Sequence, residues 1–120
     1  MKRFVRTWLL LPVLALTLSA CDLHDSELET HWTFDGYGCR TAGVRYVEVI
    51  LEDRDGDIYQ SGLVRCEAGS VVFEDLPSRR FWVEAYGYPG WRSEPTWYLS
   101  RSVLVHEGYN EVTLDLVPAY

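Results

Sequence analysis

Val44-Arg45-Tyr46-Val47-Glu48-Val49-Ile50-Leu51-Glu52-Asp53-Arg54-Asp55-Gly56 decides the fold class. Val47, Val49 and Leu51 fall on one side of an extended chain and Tyr46, Glu48 and Glu52 on the other. That two-residue period belongs to a strand with one face in a core. Asp55-Gly56 then reverses the chain, because a tight hairpin demands positive φ values that glycine accepts. Outward from this strand the pattern repeats. Downstream, the runs 57–66 and 70–76 are separated by Glu67-Ala68-Gly69, and Pro77 ends the second by removing a ladder donor. Residues 81–86 alternate Phe81, Val83 and Ala85 with Trp82, Glu84 and Tyr86; the runs 96–105 and 110–117 complete the series, with Val112, Leu114 and Leu116 turned inward. Upstream, 31–34 is closed by Asp35-Gly36-Tyr37-Gly38. No stretch holds a helical period for long. Seven short strands at this spacing predict an all-β, seven-stranded Greek-key β-sandwich, immunoglobulin-like or transthyretin-like, over residues 31–120.

The residues before that domain read as an address. Lys2, Arg3 and Arg6 form a basic start, an apolar run covers 8–18, and Ser19-Ala20 precede Cys21, the order of parts in an export signal over residues 1–20. The apolar run is too short to span a bilayer, which takes roughly 20 helical residues, and Pro12 interrupts it. Leu18-Ser19-Ala20-Cys21 resembles the lipobox of bacterial lipoproteins. The resemblance implies cleavage before Cys21, lipidation of its sulfur, and a membrane anchor in the cell envelope, periplasmic or surface-facing. Two or three acyl chains at about 0.8 kcal/mol per buried CH₂ hold without help from the protein. Residues 21–30 carry several carboxylates and no aromatic, which predicts a solvated acidic tether.

Charge excludes one class of partner. The 120 residues hold 11 Lys+Arg against 18 Asp+Glu, and loss of Lys2, Arg3 and Arg6 would leave 8 against 18, a net charge of −10. The remaining arginines are scattered, with Arg79-Arg80 the one adjacent pair, so no basic patch exists to displace counterions from a nucleic acid. Cys39 and Cys66 are the cysteines that remain once Cys21 is lipidated. In an oxidising compartment they are expected to form a disulfide bond, contributing on the order of 3 to 4 kcal/mol by the chain-entropy account. A metal site or a catalytic thiol is the alternative, but neither has a second Cys or a His within a few positions.

Val71-Val72-Phe73-Glu74-Asp75-Leu76-Pro77-Ser78-Arg79-Arg80-Phe81-Trp82-Val83-Glu84-Ala85 resembles the signature of carboxypeptidase regulatory-like, or prealbumin-like, domains. There a strand ending Phe-x-x-Leu-Pro turns through a glycine into aromatic-x-Val-x-Ala. Arg79 stands here where that glycine is expected. The resemblance implies a seven-stranded sandwich over 44–117 serving as an accessory or interaction module, with no catalytic residues to carry over. The lactam-hydrolysing transthyretin-like branch ends in Tyr-Arg-Gly-Ser, whereas this chain ends Leu116-Val117-Pro118-Ala119-Tyr120.

Candidate chemistry is sparse. Asp53, Asp55 and Asp57 around Gly56 suggest calcium, but the EF-hand glycine would fall at Ile58, and a charged hairpin tip is the expected reading. His24, His31 and His106 are far apart, and no nucleophile elbow or phosphate loop occurs, so neither metal, cofactor nor catalytic residue is expected. The aromatic set Trp82, Tyr86, Tyr88, Trp91, Trp97 and Tyr98, with Arg92, exceeds what a plain surface needs. Such rings either cover the sheet, anchor a protein partner, or stack on sugars. The expectation is a lipid-anchored, non-enzymatic module that binds an envelope protein, with carbohydrate binding through the 86–98 aromatics as the alternative.

Overall fold

The computed structural model describes residues 25–120; the expected export segment 1–20, Cys21 and residues 22–24 lie outside it. Eight strands follow in order: β1 (Ser26–Phe34), β2 (Tyr46–Asp53), β3 (Ile58–Gln60), β4 (Val64–Arg65), β5 (Ser70–Leu76), β6 (Arg80–Tyr88), β7 (Trp97–Leu104) and β8 (Gly108–Pro118). A single helical turn, α1 (Cys39–Ala42), follows β1, and a 3₁₀ turn, Cys66–Ala68, precedes β5. The fold is the expected all-β class, a mixed sheet folding into a sandwich that approaches a barrel. One layer runs β5-β1-β8 and the other β3-β2-β6-β7, with β4 also on β2. They meet at a corner where Trp97 and Tyr98 of β7 pair with Pro118 and Val117 of β8.

Alternation builds the core as the sequence predicts. Val47, Val49 and Leu51 of β2, Phe81, Val83 and Ala85 of β6, and Leu114 and Leu116 of β8 are all buried. Val112 is half-buried against them. The strand expected over 57–66 is split into β3 and β4. Ser61 interrupts it by donating its N–H to the Val49 carbonyl at 3.0 Å while its hydroxyl accepts the Val49 N–H at 2.9 Å.

The expected tether over 21–30 is corrected within the described residues. Ser26, Leu28 and Thr30 are fully buried, and β1 pairs with β8 from Ser26 onward and with β5 on its other edge. Glu27 and Glu29, counted as signs of a solvated segment, occupy the outward positions of an alternating strand that continues through Trp32 and Phe34. The domain therefore begins before residue 31.

Cys39 and Cys66 are bonded, with Cα atoms 6.0 Å apart across 27 positions of sequence. The bridge ties α1 to the turn where the chain crosses from β4 to β5. Beside it Trp32 donates its indole N–H to the Cys66 carbonyl at 2.9 Å. The register gives the molecule two ends. Ser26, Asp53, Arg80, Leu104 and Gly108 lie at one; Phe34, Tyr46, Tyr88, Trp97 and Pro118 lie at the other.

Candidate functional site

The outer face of the β2-β6-β7 layer carries most of the aromatic set. Because successive side chains alternate, β6 turns Trp82, Glu84, Tyr86 and Tyr88 outward while burying its odd-numbered residues. Cross-strand pairing sets the rows: Tyr46 beside Tyr88, Glu48 beside Tyr86 beside Tyr98, and Glu52 beside Trp82 beside Ser102. The rings of Tyr86 and Tyr98 lie 5.5 Å apart and tilted. Trp91, in the loop after β6, stands edge-on to Tyr46 at 6.0 Å and is 64% exposed. Neighbouring Arg92 is exposed and holds a left-handed φ of 64°.

Carboxylates are interleaved with these rings. Tyr88 donates its hydroxyl to Glu48 Oε1 at 3.1 Å, and Tyr86 donates to Glu84 Oε1 at 3.1 Å. Partial burial, reinforced by the adjacent glutamates, pushes both phenols up to about 12. The surface is thus a platform of polarised rings with anchored hydroxyls, and both phenols stay neutral donors at any physiological pH.

Two expected members sit elsewhere. Trp97 faces inward: it packs edge-on against Phe34 at 5.5 Å and donates its indole N–H to the Ala42 carbonyl at 3.1 Å. Gly87 makes room, since a Cβ there would stand 3.0 Å from Phe34 Cε1 and 3.2 Å from Trp97 Cβ. Trp97 therefore plugs one end of the sandwich and is withdrawn from the surface set. Trp82 is outward and 47% exposed, but it lies at the opposite end of β6 beside Glu52, Arg54 and Arg80 in an open depression. Conversely, Tyr46 joins the platform although sequence reading singled it out only as an outward residue of its strand. Its alternation was visible; its position beside Tyr88 and Trp91 required the β2–β6 register.

The aspartate cluster is a hairpin tip. Asp53 is buried; its Oδ1 accepts the N–H groups of Asp55 at 2.9 Å and Asp57 at 3.0 Å, and its Oδ2 accepts from Arg79 at 3.2 Å. Arg79 also donates to Asp55 Oδ2 at 2.8 Å. Those oxygens are committed to holding the turn, and Arg79 is its clamp, which accounts for an arginine in the turn between β5 and β6.

No family model, curated protein or solved structure matches this chain, so its site is read from its own geometry.

Proposed function

We propose that the chain is a lipid-anchored, non-enzymatic envelope module that docks an envelope protein through the outer face of the β2-β6-β7 layer. The observation that carries this reading is the cluster of Tyr46, Tyr86, Tyr88, Trp91 and Tyr98 on one outward face, at one end of the sandwich. Aromatic rings with arginine nearby supply most of the energy of protein interfaces, and Arg92 adjoins Trp91. Position agrees with the proposed anchor. Cys21 stands a few residues before Ser26, so lipid there would set the Ser26 end toward the bilayer. The aromatic end then lies a strand length away, about 25 Å for the eight residues of β2 at roughly 3.3 Å each. The prealbumin-like resemblance of 71–85, an accessory-module signature, points the same way.

A second reading, carbohydrate binding, is favoured by the glutamates between the rings. Sugars stack on aromatic faces while carboxylates accept their hydroxyls.

One experiment separates these readings. A photoreactive residue is placed at position 91 of the full-length chain in its native host, with Val72 on the opposite layer as control. A cross-linked protein obtained from position 91 and not from 72, and lost when Cys21→Ser releases the chain from membranes, supports the docking reading. No adduct, combined with Trp91-dependent retention on peptidoglycan or polysaccharide, replaces it with the glycan reading. Equal adducts from both positions overturn a specific face.

A further inference from the structure

We propose that Glu29, His31 and Glu111 form a binding site for a divalent transition-metal ion, with Zn²⁺ as the best-fitting member, on the layer opposite the aromatic platform. This site is independent of the docking reading.

The parallel pairing of β1 with β8 brings the three residues together from opposite ends of the sequence: Glu29 lies directly beside Glu111, and His31 is the next outward residue of β1. His31 Nε2 lies 2.9 Å from Glu111 Oε2 and 3.4 Å from Glu29 Oε2. One ligand atom from each residue lies within 4.8 Å of the other two. Zinc bound at roughly 2.0–2.2 Å by nitrogen and oxygen in a tetrahedron places adjacent donors about 3.3 Å apart. The two nitrogen–oxygen distances bracket that value, so the ion can enter with small side-chain rotations.

Electrostatics favours an occupant. Like charges directly opposite on neighbouring strands repel, and Glu29 faces Glu111 in that relation. Among the described residues, His31 is the one basic side chain within ion-pair distance of either carboxylate. An imidazole carrying a single Nε2 proton can serve only one of the two fully, whereas a metal at the shared point binds both. Tyr109 donates its hydroxyl to Glu29 Oε1, which leaves Oε2 facing His31 and fixes the carboxylate. Orienting partners of this kind support metal ligands. Imidazole among the ligands selects transition metals over calcium or magnesium. The ligands are partly exposed, the His31 side chain 34% and Glu111 56%, so solvent can complete the fourth position.

The test is calorimetric titration of the full-length chain, made without a histidine tag and freed of metal in detergent, with ZnCl₂. Saturable one-to-one binding is expected, lost in both His31→Ala and Glu111→Gln. CaCl₂ is expected to give baseline heats. Glu111 is largely exposed, so its substitution leaves the fold intact, and circular dichroism verifies this. Baseline heats with zinc overturn the site, as does zinc binding unchanged in either variant, or calcium binding as tight as zinc.

Discussion

At Tyr86 and Tyr88 a surface feature becomes measurable. Both phenols are pushed up to about 12 by partial burial and by Glu84 and Glu48, respectively. In the unfolded chain they would ionise near 10. The folded state therefore keeps protons that the unfolded state releases. Stability from these groups is complete below pH ~10 and is lost as pH rises toward ~12. The expected outcome is alkaline unfolding across that window, with tyrosinate absorbance from these residues appearing only as the fold opens. Replacing both with phenylalanine should flatten the dependence. Tyrosinate appearing near its ordinary pH with the fold intact would contradict the assignment. Arg79 shows the same economy at another position: its pKa is raised chiefly by the hydrogen bond to Asp55, and it holds the tip that three aspartates share.

Among the strands, β1 holds the largest difference between sequence and structure, and it bears a prediction. A chain beginning at residue 31 would lack buried Ser26, Leu28 and Thr30 and their pairings with β5 and β8. Losing one buried leucine side chain costs about 2–5 kcal/mol, against total stabilities of roughly 5–15 kcal/mol. Such a truncated chain should show no cooperative thermal transition by circular dichroism, whereas one beginning at Asp25 should. A normal melt from the shorter chain would show that the N-terminal half of β1 is dispensable. Strands β2 and β6 were legible because apolar residues recur at every second position, through Val47, Val49 and Leu51 and through Phe81, Val83 and Ala85. In β1 the polar inward residues Ser26 and Thr30 hid the same period. In β7 the run Trp97-Tyr98-Leu99 is apolar without interruption, so no period could tell Trp97, inward, from Tyr98, outward. The partner glycine at 87 decides that orientation. The Glu29–His31–Glu111 cluster was invisible for a different reason. Its members meet only through a pairing between the first and last strands, and sequence spacing carries no trace of that.

For the whole molecule, the disulfide works where the layers are joined by crossings of the chain. Restricting the unfolded chain across 27 positions is worth about 3 to 4 kcal/mol. Reduction with a thiol should lower the denaturation midpoint by that amount of stability, and reoxidation should restore it. A midpoint indifferent to reductant would mean that packing of Trp32 and Trp97 holds that end unaided. The parallel seam between β1 and β8 also governs when folding can happen. Thr33 finds its partner Asp115 82 positions further along, so β1, the middle of the smaller layer, lacks its β8 neighbour until almost the last residues are delivered. A polypeptide arranged this way stays slack during synthesis, and it locks only after β8 has emerged.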